Sequence, residues 1–258
     1  MTAADDECFI LIKAQPHRSS KYFETVCCAG VGRDRKWRRQ YPVPFRILND
    51  AQRFRRWDWI KYRFTKSSED LRVESQKVIP ETLSVTGSVK KAERATFLDP
   101  LIRGSFAEAD SRRESLTLIR PNKLALEAFE KSDAEIASEA FKHKELASQL
   151  SMFDTTAKPL RPCAMRFVAK WRDQDGKDRT HECDDWETSA AFNRFEAQYG
   201  RTEAVRIIQQ KYAEYMEYGL VLGFSTHKRR NAEFGTQNQW LLVGLIRLDD
   251  AVQPSLGF

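Results

Sequence analysis

Glycine is scarce in this sequence, with 11 in 258 residues against roughly 7% in an average chain. No GxxxxGK[ST] run is present, and no GxGxxG follows a strand. The GxSxG elbow and the HExxH zinc pair are missing as well. P-loop nucleotide hydrolysis and dinucleotide redox chemistry therefore drop out of the leading readings. Cysteine is few and odd in number: Cys8, Cys27, Cys28, Cys163 and Cys183 show neither a disulfide-framework spacing nor paired CxxC motifs. The start, MTAADDE, is acidic where a secretory leader would be basic and then apolar. A reducing, cytoplasmic setting is expected. The longest apolar runs, Phe9 to Ile12 and Trp240 to Ile246, fall far short of the roughly 20 residues that span a bilayer as a helix, so no membrane partner is expected.

What the chain does have is a folding composition and unevenly placed positive charge. Hydrophobic residues make up 41% and charged residues 31%, which is too apolar for a disordered chain. The net charge is +6 and the isoelectric point is near 9.0. Between Arg33 and Phe64 stand Arg33, Arg35, Lys36, Arg38, Arg39, Arg46, Arg53, Arg55, Arg56, Lys61 and Arg63, opposed only by Asp34, Asp50 and Asp58. That stretch alone exceeds the net charge of the whole chain.

The fold class read from the pattern is α+β. Cys8 to Lys13 and Tyr22 to Val31 are apolar, branched and aromatic, which marks buried strands. Gly30 and Gly32 signal a turn, and Lys36 to Tyr41 reads as a strand that Pro42 and Pro44 place at a sheet edge or a bulge. In Asp58 to Phe64 the period of two puts Trp59, Lys61 and Arg63 on one face and Ile60, Tyr62 and Phe64 on the other. With Glu69 to Val78 and Leu83 to Val89, the first domain (1–97) is a small curved β-unit of about five strands, similar in size and order to oligonucleotide-binding barrels.

From Leu98 the spacing of Leu124, Leu126, Phe129, Ile136, Phe141 and Leu146 predicts a helical connector over 98–158, closed by a Pro-containing linker between Ser151 and Pro162. A C-terminal lobe (159–258) follows. Its predicted order is a β-hairpin through Asp175-Gly176, a helix from Thr188 to Tyr199, a second helix carrying Val205, Ile208, Tyr212, Tyr215 and Met216, and a closing hairpin of Leu220 to Phe224 with Trp240 to Leu248.

Interleaved cations and rings suit single-stranded or distorted nucleic acid, because cations neutralise phosphates and rings stack on unpaired bases. Arg38, Arg39, Arg55, Arg56, Lys61 and Arg63 are the expected phosphate contacts, with Trp37, Trp57 and Trp59 as stacking platforms. The run His227, Lys228, Arg229 and Arg230 in the last hairpin loop is a second basic element. The leading expectation is a non-catalytic nucleic-acid-binding protein or subunit, without a cofactor. The competing local reading is that the rings are core and the arginines its solvated face.

Two further classes stay open. His181, Asp184, Asp185 and Glu187 crowd a strand-to-helix junction, where carboxylates hold Mg²⁺ in metal-dependent nucleases of the kind used by mobile elements and antiviral defence. The plainer account of these carboxylates is charge complementing a helix N-terminus. Cys163, His181 and Cys183 supply three candidate Zn²⁺ ligands, one fewer than a closed structural site takes. The third class is an interaction protein that docks a protein partner through the connector between Leu124 and Leu150.

Overall fold

The computed structural model describes residues 2–19, 23–45, 48–68, 70–151, 160–226 and 240–249. Its first part is a closed barrel. The strands are β1 (Ala4–Lys13), a short β2 (His17–Ser19), β3 (Phe23–Gly32), β4 (Trp37–Val43), β5 (Asp58–Lys66) and β6 (Ser75–Ser88). Five of them close in the order β1–β5–β6–β4–β3–β1, with β2 appended to β3. Every neighbouring pair is antiparallel except β4 and β6, which run parallel over Arg39–Tyr41 and Ser75–Lys77. β4 is thus an interior strand of the closed barrel and not a sheet edge. Its register with β3 shifts between Gln40 and Val43, so Pro42 sits at a bulge, where a missing N–H costs no ladder bond.

β1 explains how the barrel joins the remainder. Cys8 and Ile10 point inward with Cys28, Ile60, Tyr62 and Val78, while Phe9 and Leu11 point outward. A register shift between Ile10 and Ile12 inserts an extra residue, so Ile12 joins the outward set. An apolar run with both faces buried is what such a strand requires.

Beyond the barrel lie α1 (Lys91–Leu98), a single 3-10 turn at Asp99–Leu101, β7 (Ile102–Arg103), α2 (Phe106–Ser111), β8 (Leu116–Ile119), β9 (Lys123–Glu130) and α3 (Asp133–Ser151). The helical connector expected over 98–158 is corrected here, since its central part is strand. Leu124 and Leu126 are two residues apart on β9, and Leu126 is buried while Phe129, on the opposite face, is exposed. The helical part of the spacing holds only from Ile136 onward, within α3.

The last elements are β10 (Met165–Arg172), β11 (Asp178–Glu182), α4 (Trp186–Tyr199), α5 (Arg201–Tyr218), β12 (Leu220–Thr226) and β13 (Trp240–Arg247). They form a three-stranded sheet, β11–β10–β9, and a four-stranded sheet, β13–β12–β8–β7. The architecture is mixed α+β. The four-stranded sheet packs on the outer face of β1 and β3, where Leu11, Ile12, Ala29 and Val31 share one core with Leu118, Val221, Val243 and Ile246. The approach is close: a Cβ on Gly223 would lie 2.9 Å from the Ile12 Cδ1. Among the described residues no helix is long and apolar enough to cross a membrane.

Candidate nucleic-acid interface

The thirteen residues singled out for nucleic-acid contact divide by environment. On β4, Trp37 is half-buried and its indole N–H has no hydrogen-bond partner among the described residues. The Arg38 Nε donates to Asp6 at 2.6 Å, and its Nη2 reaches Asp34 at 3.2 Å. Arg39 is buried; it donates to Ser225 Oγ at 2.8 Å and to Glu74 at 3.2 Å, and burial lowers its pKa. Arg56 points into the seam beneath β13, whereas Arg55, Lys61 and Arg63 are exposed. His227, Lys228, Arg229 and Arg230 lie outside the described residues.

Trp57 and Trp59 are each 8% exposed, which corrects their expected role as open stacking platforms. They belong to an aromatic cluster on the outer wall of the barrel, with Phe9 between them at 6.1 and 5.2 Å and Phe97 of α1 above at 5.1 Å from Phe9. The remaining ring faces carry guanidinium groups. Arg33 lies 4.1 Å from the Trp59 centroid, Arg94 4.3 Å from Trp57 and Arg35 5.4 Å from Phe97. Cations so placed are held by the ring quadrupole while their outer faces stay in solvent.

The turn between β3 and β4 presents two of these groups. Gly32 N–H donates to Lys36 at 3.0 Å, and Asp34 accepts from the Lys36 N–H at 3.1 Å. Arg35 sits at its tip with φ 57°, a left-handed value that few non-glycine residues adopt. Arg33, two-thirds exposed, is paired with Glu7 at 2.9 Å, and across the β1–β5 ladder Glu7 faces Lys61 while Asp5 faces Arg63.

A pocket of about 180 Å³ opens beside α1 and shares Trp57 and Arg94 with this cluster. Arg56, Lys91, Arg94 and Arg247 supply four cations to its lining, Asp249 one carboxylate, and Trp57 and Tyr215 two rings. Lys91 and Arg247 both reach Asp249, the former at 2.5 Å. Arg94 donates to Val89 O at 3.3 Å and forms no ion pair among the described residues; burial lowers its pKa, partly offset by Asp249. The Arg56 Nε is buried without a hydrogen-bond partner. Trp57 itself takes φ 78°, a strained value for a bulky side chain. Of these residues, only Arg56 and Trp57 stood out in the sequence. The Lys90-Lys91-x-x-Arg94 run directly after a strand was the available signal for the others on α1; Arg247 and Asp249 left none.

Two of the three carboxylates read as a candidate Mg²⁺ cluster, Asp185 and Glu187, have structural tasks. Asp185 is fully buried and caps α4, accepting from Glu187 N–H at 3.2 Å and Leu245 N–H at 3.3 Å besides pairing with Arg56 at 3.1 Å. Glu187 pairs with Lys13 at 2.6 Å, which helps hold its pKa low against burial. Asp184 takes part in the backbone seam, its N–H donating to Leu242 O at 2.8 Å and its carbonyl accepting from Gln15 N–H at 3.1 Å. His181 stands apart from them, boxed by Phe224, Phe106 and Trp171 at 5.1, 5.6 and 5.8 Å between centroids. Its Nδ1 accepts from the Trp171 Nε1 at 3.0 Å, and burial pushes its pKa down to about 4. Cys163, His181 and Cys183 are not assembled as ligands; among the described residues no group of three or more His, Cys, Asp or Glu is arranged to hold a metal ion. Burial raises the pKa of the Cys163 and Cys183 thiols.

The fold and site define a chain of two joined parts, a closed five-stranded barrel and a mixed α+β lobe, with a cationic pocket lined by residues of both. Residues 100–249 match the sequence model of a domain of unknown function (DUF8757), and the chain belongs to that family. Residues 4–100 match the model of a second domain of unknown function (DUF8758). No curated protein and no solved structure matches the chain.

Proposed function

We propose that the protein binds nucleic acid, favouring single-stranded or distorted forms, on the outer surface of the barrel and without cleaving it. The carrying observation is the pair of guanidinium groups seated on rings at the β3–β4 turn, Arg33 over Trp59 and Arg35 over Phe97. A guanidinium plane fixed in this way stacks on an unpaired base at little entropic cost, and Arg33 exchanges Glu7 for a phosphate when one binds. Lys36 beside them, and Lys61 and Arg63 along β5, extend the cationic path.

The strand order, with its one parallel pair, supports an oligonucleotide-binding type of barrel. That scaffold hosts many functions, so the order adds support without carrying the reading. Such barrels commonly bind across their second and third strands, which here are β3 and β4. Their outer face is occupied by the lobe, through Ala29 and Val31 in the shared core and Arg39 on Ser225. The proposed path is therefore displaced to the β3–β4 turn and β5. Fluorescence anisotropy with labelled single- and double-stranded DNA and RNA across a salt series tests the reading. Binding with a steep salt slope that Arg33→Gln with Arg35→Gln reduces is the expected result; affinity unchanged in that variant would overturn the placement.

A second reading, a subunit of a larger complex, is favoured by the exposed rings of Phe129 on β9 and Phe141 on α3. Light scattering on the wild type and on Phe129→Ser with Phe141→Ser checks for association through that side.

A further inference from the structure

The seam pocket differs in kind from the barrel surface. There, Arg33 and Arg38 meet Glu7 and Asp6; in the pocket Asp249 is, among the described residues, the one lining carboxylate for Lys91, Arg94 and Arg247, Arg56 being paired with Asp185. Arg56 lines the pocket and is held by Asp185 and by Leu245 O at 2.9 Å. A space of about 180 Å³ lies below the roughly 300 Å³ at which pockets enclose a whole drug-sized ligand. It suits one compact charged group entering from the open side.

We propose that this pocket binds a phosphomonoester, with Lys91 and Arg94 of α1 and Arg247 of β13 gripping the phosphate. A terminal phosphate is close to dianionic at neutral pH, and guanidinium forks match its oxygens. Asp249 now occupies the position of the anion: it holds Lys91 and Arg247, and the incoming phosphate takes these cations from it. Arg94, without an ion pair among the described residues, lies over Trp57 and donates from Nε to Val89 O, which leaves its terminal N–H groups for the phosphate. The strained backbone of Trp57 falls at the same place, as strain does at ligand sites. At about 180 Å³ the space suits a terminal phosphate, so a chain end or a free mononucleotide is the expected ligand.

The test uses the full chain, with tryptophan fluorescence and thermal shift as readouts. The probes are inorganic phosphate, a nucleoside 5′-monophosphate, the parent nucleoside, and one oligonucleotide bearing either a 5′-phosphate or a 5′-hydroxyl. The monophosphate is expected to bind and the nucleoside not. Lys91→Gln with Arg94→Gln should weaken monophosphate binding by about tenfold or more. Asp249→Asn should strengthen it, a gain that a merely structural role for Asp249 would not produce. A 5′-phosphate preference lost in the Lys91/Arg94 variant identifies a strand end as the source; no such preference identifies a free nucleotide. The proposal is overturned if the monophosphate fails to bind at millimolar concentration, or if both variants keep wild-type affinity. Failure of the oligonucleotides alone would remove the nucleic-acid reading and leave the pocket result standing.

Discussion

Arg56 donates from Nη2 to both oxygens of the Asp185 carboxylate, at 3.1 and 3.3 Å, joining the segment before β5 to the cap of α4. Asp185 is fully buried and the Arg56 side chain is 15% exposed, so neither charge is left to bulk water when its partner is removed. Asp185→Ala is expected to lower unfolding free energy by about 3–5 kcal/mol, since it strands a buried cation and removes a helix cap. Denaturant unfolding measures this. Replacing both residues, Arg56→Met with Asp185→Leu, should recover a substantial part of the loss.

His181 ties stability to pH. Its folded pKa of about 4 lies below the ordinary value near 6.5, because burial, and secondarily Arg179, disfavour the charged ring. The unfolded chain therefore binds the extra proton first as pH falls. Stability assigned to this residue is complete above about 6.5 and is lost between there and about 4, by an amount of about 3 kcal/mol. Unfolding midpoints of the wild type should drop over that interval more steeply than those of His181→Gln.

The contact of Ile12 with Gly223 sets how closely lobe and barrel approach. Gly223→Ala places a methyl 2.9 Å from the Ile12 Cδ1 and should cost about 1–2 kcal/mol through overpacking. Ile12→Val removes the opposing atom. In that background the cost of Gly223→Ala should shrink, and a double-mutant cycle by denaturant unfolding reports the coupling directly.

Lys61 and Arg63 are exposed on β5 and should act as phosphate contacts. Lys61→Gln with Arg63→Gln is expected to weaken binding to all sequences alike and to lower the salt slope by about two, with the melting temperature nearly unchanged. Anisotropy on three unrelated oligonucleotides separates this from sequence readout.

Cys8 is fully buried and its thiol pKa is pushed up to about 12, chiefly by burial. Thiolate, the reactive form, is accordingly scarce. Mass spectrometry after brief alkylation of the native protein should find Cys8 unmodified, and labelling should appear with denaturant.

Sequence periodicity was informative about faces and silent about what covers them. In β5 the alternation separates buried Ile60 and Tyr62 from exposed Lys61 and Arg63. The same alternation puts Trp59 on the outward face, yet Phe97 of α1 and the Arg33 guanidinium roof it. Nothing local to Trp59 signals that roof. Arg56 and Asp185 pair across half the length of the chain, so two charges that looked like a phosphate contact and a metal ligand neutralise each other. Leu124 and Leu126, two residues apart, share one strand face and pair with β10, whereas the helical spacing begins at Ile136. The pocket was the least legible feature, because α1, β13 and the segment before β5 contribute to it from distant positions.

The shared core on the outer face of β1 also bears on how the two matched segments relate. A chain cut near residue 100 would leave Leu11, Ile12, Ala29 and Val31 facing water on one side of a closed barrel, an oily wall on an otherwise polar shell. The lobe would lose the surface against which Leu118, Val221 and Val243 are buried. Each half thus shields the other from aggregation, and exchanging either for a foreign barrel or lobe would demand rebuilding that wall residue by residue.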